Sequence, residues 1–147
     1  MRPANLAAAV ERATKDPSSI EFHVDELLDR FYTTDDPRLR QAMIDKQPSL
    51  LGEPFADAFV AGVGEHLARR WGLDVPNWVR DERRYLIEAD FHPDVPSHRR
   101  YMMAVTPVAF RVRLIFTGPE PLQRARFPYA THAAALPERV GCLESVT

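Results

Sequence analysis

The chain predicts an all-α fold, a single-domain irregular helical bundle of about five to seven helices, on three observations. Apolar residues recur at helical spacing in one segment after another. Most of the thirteen prolines stand at the starts of those segments, where a helix tolerates a missing N–H. Only one run alternates like a strand, and it has no convincing partner elsewhere in the chain.

Residues 5–16 place Leu6, Val10 and Ala13 on one helical face of an alanine-rich stretch that stops at Pro17. Ser18-x-x-Glu21 matches a capping box, and behind it Val24, Leu27, Leu28 and Phe31 follow helical spacing. Asp36-Pro37 reads as N-cap and first residue of a third helix carrying Leu39, Met43 and Ile44, which ends before Pro48. The longest segment, Pro54–Trp71, repeats Phe55, Phe59, Val63, Leu67 and Trp71, and Gly72-Leu73 reads as its C-terminal cap. Gly62 and Gly64 each cost that helix about 1 kcal/mol against alanine. Their presence predicts close approach by another element, such as a crossing helix.

The second half is less regular. Val75-Pro76-Asn77-Trp78 reads as a turn or short helix start, and residues 81–87 set Tyr85 and Leu86 against a solvated charged run, DERR. Residues 91–96 read as loop, and a helix carrying Tyr101, Ala104 and Val105 begins at Pro96 or Ser97. Thr106-Pro107 repeats the cap-plus-proline signal ahead of VAFRVRLIF. Phe110 to Phe116 also alternates apolar residues with arginine, but without a partner strand the expected form of 107–116 is helix. Pro119 and Pro121 bracket a last helical turn in LQRARF. The helical domain is expected over 1–127, with 128–147 as a C-terminal tail of weak periodicity.

At 147 residues the chain can bury about 68–70% of its unfolded surface, so no staple is required. The single cysteine, Cys142, excludes an intrachain disulfide and a four-cysteine zinc site, and a reducing cytoplasm is the expected compartment. LAAAV near the N-terminus is too short for a signal peptide, and no run approaches about 18 apolar residues, so no membrane span is expected.

Charge is near balance but unevenly placed. Through Asp57 there are 7 Lys/Arg against 11 Asp/Glu, and from Ala58 onward 12 against 10. Residues 98–126 hold Arg99, Arg100, Arg111, Arg113, Arg124 and Arg126 against Glu120 alone. Arginine interleaved with Tyr101, Phe110, Phe116 and Phe127 is the composition of interface hot spots. The plainer reading is a core aromatic stripe with solvated arginines between, in a chain whose Arg, Ala, Pro and Val content matches GC-rich coding.

Catalytic signatures are missing. His23, His66, His92, His98 and His132 form no i, i+3 or i, i+4 pair, HPDVPSH fits no metal spacing, and HExxH is absent. No serine lies in G-x-S-x-G, Cys142 has only Arg139 nearby, and no phosphate-cradling glycine loop occurs. The carboxylate pairs Asp25/Asp29 and Asp35/Asp36 fall at helix-surface or cap positions. No catalytic residue, metal or cofactor is therefore expected. A small enzyme with a pocket lined by Glu65, His66 and Tyr101 is the third-ranked reading.

Nucleic acid is a better-founded alternative. Ala68, Gly72 and Leu73 have the small–turn–apolar spacing of a helix-turn-helix, and a second helix capped by Asp74 would carry Asn77, Arg80 and Arg84 outward. Glu65, Asp74, Asp81 and Glu82 interrupt the positive stripe that phosphate contacts require.

Two stretches carry a family likeness: GEHLARRWGLDVPNWVRDERRYLIEADF and TPVAFRVRLIFTGPEPLQRA. Gly72-Leu73, Pro76 and Trp78, then Thr106, Pro107, Ala109, Phe110, Arg111, Ile115 and Phe116, then Leu122 and Ala125 make up the pattern. Over residues 55–126 the chain resembles a family of small uncharacterised, mainly actinobacterial proteins, standalone or behind helix-turn-helix domains, that accompany nucleotidyltransferase-type toxins. The resemblance implies an antitoxin-like protein that binds a toxin-like protein partner and acts by occlusion. The leading expectation is thus a non-catalytic protein-binding module using Arg99, Arg100, Arg111, Arg113 and Arg126, with Trp78 and Phe110 structural.

Overall fold

The computed structural model describes residues 1–125. Helix α1 (Leu6–Arg12) starts where the Asn5 side chain accepts the Ala8 N–H at 2.8 Å, and ends short of the predicted residue 16. A 3-10 turn at Pro17–Ser19 leads into α2 (Ile20–Tyr32). The capping box does not form. Asp16 accepts the Ser18 N–H instead, and Ser19 at the N-cap makes no side-chain cap bond. The predicted apolar face of α2 is buried as Val24, Leu27, Leu28 and Phe31, joined by Ile20 and Tyr32. Helix α3 (Pro37–Asp45) is capped by Asp36, which accepts the Arg38 N–H at 2.9 Å, and it buries Met43 and Ile44 while Leu39 stays in solvent.

Helix α4 (Pro54–Trp71) has the predicted bounds. Glu53 accepts the N–H groups of Phe55 and Ala56, and Gly72 closes the far end at φ 73°, where the Leu73 N–H reaches Ala68 O at 2.8 Å. From Ala56 to Ala68 every residue is buried, so α4 is enclosed on all sides. It is contacted by α1 and α3 from the first half and by the later turns and helix from the second. Both glycines are notches for aromatic rings. A Cβ on Gly62 would stand 2.6 Å from the Phe110 ring, and one on Gly64 would stand 2.9 Å from Trp78. The Trp78 indole N–H donates to Ile44 O at 2.9 Å, which fixes that ring between the two halves.

The second half consists of short pieces. Two 3-10 turns, Asn77–Arg80 and Glu82–Arg84, precede strand β1 (Asp90–Phe91), so the stretch read as loop begins with a strand residue at Phe91. A further 3-10 turn, Pro96–His98, opens α5 (Arg99–Val105), and α6 (Val108–Arg111) is one turn long. The predicted helix over 107–116 is correct only at its start. Leu114 takes the left-handed conformation at φ 65°, which ends the helical path and sends Ile115–Phe116 into strand β2. β2 pairs in parallel with β1, in the register Asp90↔Ile115 and Phe91↔Phe116. Thr106 does not cap α6. Its hydroxyl donates to Met102 O and accepts the Thr117 N–H, tying the end of α5 to the residue after β2. LQRARF forms no helix through Ala125, only a turn in which Gln123 N–H donates to Glu120 O. The strands amount to four residues, so the chain is an irregular bundle of six helices among the described residues. No described helix is long and apolar enough to cross a membrane.

Candidate functional site

Helix α5 is seven residues long and buries only Met102 fully. Arg99, Arg100, Tyr101 and Met103 are exposed on it, and Arg111 and Val112 are exposed at the end of α6. Tyr101 is 59%, Met103 52% and Val112 49% exposed, values that mark apolar surface left in water next to cations. Arg99 is held by two bonds to the Asp94 carboxylate, at 2.9 and 3.0 Å, and lies over the Phe91 ring. Arg111 donates to Thr106 O at 3.0 Å. Arg100 makes no hydrogen bond or ion pair among the described residues. Between Asp94 and Glu120 the sequence has no carboxylate, and neither Arg100 nor Arg111 makes an ion pair among the described residues.

Arg113 is not part of that face. It is fully buried, donating through Nη1 to Glu65 Oε1 and Ala109 O, both at 2.7 Å. Nη2 donates to Val79 O at 2.6 Å, and the guanidinium lies over the Tyr85 ring. One cation thus fastens α4, the 77–80 turn and α6 together. Burial pushes the Glu65 carboxyl upward, but hydrogen bonds from Arg113 and Arg69 outweigh it and leave the carboxyl below its ordinary range. Arg124 is also used internally, bridging Asp29 at 3.0 Å and Asp25 at 3.3 Å. Arg126 lies outside the described residues. The basic segment therefore divides into surface cations at 99, 100 and 111 and structural ones at 113 and 124.

The unit around Gly72 is not a helix-turn-helix. The predicted second helix is a four-residue 3-10 turn, shorter than any recognition helix. Asn77 and Arg80 are exposed on it, but Arg84 is 1% exposed, donating to Asp57 O and Pro48 O and lying over Trp78. The run DERR is thus solvated except at Arg84. Nothing gathers the three residues onto one surface.

The enzyme pocket suggested by Glu65, His66 and Tyr101 is not assembled either. His66 is buried 5.7 Å from the Phe110 ring, where burial, aided by Arg70, lowers its pKa to about 3. Glu65 is held by two arginines, while Tyr101 stands in solvent. Trp78 and Phe110 are core side chains, as predicted.

Two concavities lie elsewhere, and sequence reasoning missed both. A cleft of about 870 Å³ separates the start of α4 from the extended chain after the second 3-10 turn, with Phe55, Tyr85, Leu86 and Ile87 in its walls. A pocket of about 200 Å³ adjoins it, where His92 stacks on Phe55 at 4.8 Å and meets Glu21 at 3.2 Å. Burial raises the pKa of Asp25 in that pocket, against the opposing charge of Arg124. The apolar run Tyr85-Leu86-Ile87 gave no local hint of a cleft, because its facing wall at the start of α4 lies some thirty positions earlier in the chain. No group of three or more His, Cys, Asp or Glu among the described residues is placed to hold a metal ion.

No family model matches the chain, no curated protein matches it, and no solved structure matches it.

Proposed function

We propose that this chain is a non-catalytic binding module that docks an acidic surface of a protein partner on its α5–α6 face. The observation that carries the reading is α5 itself, a short helix with one fully buried side chain and Arg99, Arg100, Tyr101 and Met103 in solvent. Arginine and tyrosine dominate interface energetics, and uncompensated cations steer association with an acidic partner. Arg99 is presented ready for contact, because Asp94 and Phe91 hold its guanidinium in place. The family resemblance supports a toxin-like partner of the nucleotidyltransferase class, with occlusion of its working surface as the mode of action.

The test is affinity capture with N-terminally tagged protein, in parallel with an Arg99→Ala/Arg100→Ala/Arg111→Ala variant. All three side chains are exposed and the bonds lost, to Asp94 and Thr106 O, are surface ones, so the variant stays folded with at most a small drop in its thermal midpoint. The expected result is one stoichiometric protein, bound at least tenfold more weakly by the variant, with a nucleotidyltransferase activity that wild-type protein suppresses. Equal capture by both forms, or recovery of nucleic acid alone that is lost as salt rises, overturns the reading.

A further inference from the structure

The cleft at the start of α4 has the opposite character to the α5–α6 face. Its walls are apolar at Phe55, Tyr85, Leu86 and Ile87, and Ile87 is 94% exposed at the lip. Leaving such a side chain in water forgoes burial that a bound apolar group would recover. The charges around the walls are Glu53, Asp57, Glu82, Glu88 and Asp90 against Arg83. Arg83 is spent on Asp81 at 2.6 Å, Asp57 accepts the N–H groups of Leu51 and Gly52, and Glu53 caps α4. Asp90 has only His92, at 3.5 Å. Glu82 and Glu88 make no hydrogen-bonded ion pair among the described residues, Arg83 adding only a longer-range charge near Glu82, and both are exposed on the rim. The volume, about 870 Å³, is in the range of sites that enclose a small organic molecule.

We propose that this cleft binds a small organic cation, an apolar or aromatic body carrying a protonated amine. The body packs against Phe55, Leu86 and Ile87, and the ammonium faces Glu82 and Glu88. Two separate features select the ligand: the walls demand apolar area, and the uncompensated rim rejects anions and favours cations. The site is independent of the α5–α6 face, so either assignment stands or falls alone.

Calorimetric titration of the full chain with 4-phenylbutylamine, 4-phenylbutan-1-ol and 4-phenylbutyrate tests it, because the three probes share a body and differ in charge. The amine should bind with a dissociation constant on the order of 1 mM or tighter, at least tenfold below the alcohol, and the carboxylate should not bind. Glu82→Gln/Glu88→Gln should weaken the amine about tenfold and leave the alcohol unchanged, an effect that added salt mimics. Ile87→Ser should weaken both, while Arg100→Ala should alter neither. Equal affinity for amine and alcohol overturns the proposal, as does an amine that fails to bind at several millimolar or binds the double variant unchanged.

Discussion

Helices α1 to α3 and the stretch from Asn77 to Phe116 pack on the same central helix, yet they are held by different means. The first region is a set of helices whose apolar stripes meet, with Leu6, Val10, Leu27, Leu28 and Phe31 all fully buried. The second has short pieces pinned by two aromatic rings in glycine notches and by two buried arginines. Where elements are long, burial of a stripe suffices. Where they are one turn long, few apolar contacts are available per element, and hydrogen bonds from a cation to several backbone carbonyls supply the connection. The same residue type consequently has two roles within one segment, structural at Arg113 and exposed at Arg100.

The contrast breaks most directly at Arg113. Arg113→Ala leaves Glu65 with Arg69 as its one cation and frees three elements at once, so chemical denaturation should show a loss of about 3–5 kcal/mol. Adding Glu65→Gln to that variant should cost less than Glu65→Gln alone, since the carboxylate has by then lost one of its two cations.

Acid should act at the seam between the regions. His66 has a folded pKa of about 3 against an ordinary 6.5, so the unfolded chain binds the extra proton between those values. Its contribution is intact above pH 6.5 and declines as pH falls toward 3. At pH 5 the loss amounts to about 2 kcal/mol, and His66→Phe should flatten the stability profile across that window. An unchanged profile in the variant would remove His66 from the account.

A smaller effect sharpens the comparison at a notch. Gly62→Ala raises helix propensity yet drives a methyl group into the buried Phe110 ring, so it should lower stability by about 1–3 kcal/mol. Combined with Phe110→Leu, the same substitution should cost less than it does alone, a coupling that a double-mutant cycle measures.

The two regions also differed in how far they could be read from the chain. Asp36-Pro37 and Glu53-Pro54 state a helix start within two residues, and Gly72 states an end, so α3 and α4 were legible at their boundaries. The strand at Ile115 was not, because its partner Asp90 lies 25 positions away in a segment with no alternation of its own. Arg84 and Arg113 looked like surface cations because burial of an arginine depends on carbonyls and carboxylates far along the chain, at Pro48, Asp57, Glu65 and Val79. Charge alone marked the cations at 99, 100 and 111 but did not separate them from Arg113, and the acidic cleft arises from two segments that sequence spacing does not connect.

The enclosure of α4 on every side has a consequence for cooperativity. Both regions pack on that helix, so a fragment ending before Pro54 or beginning after Trp71 lacks a surface it packs on. Contacts that join the regions directly, from Trp78 to Ile44 O, Arg84 to Pro48 O and Arg124 to Asp29, add to the coupling through those eighteen residues. The described chain therefore opens as one unit, and a probe in α2 and a probe beside β2 report a single transition.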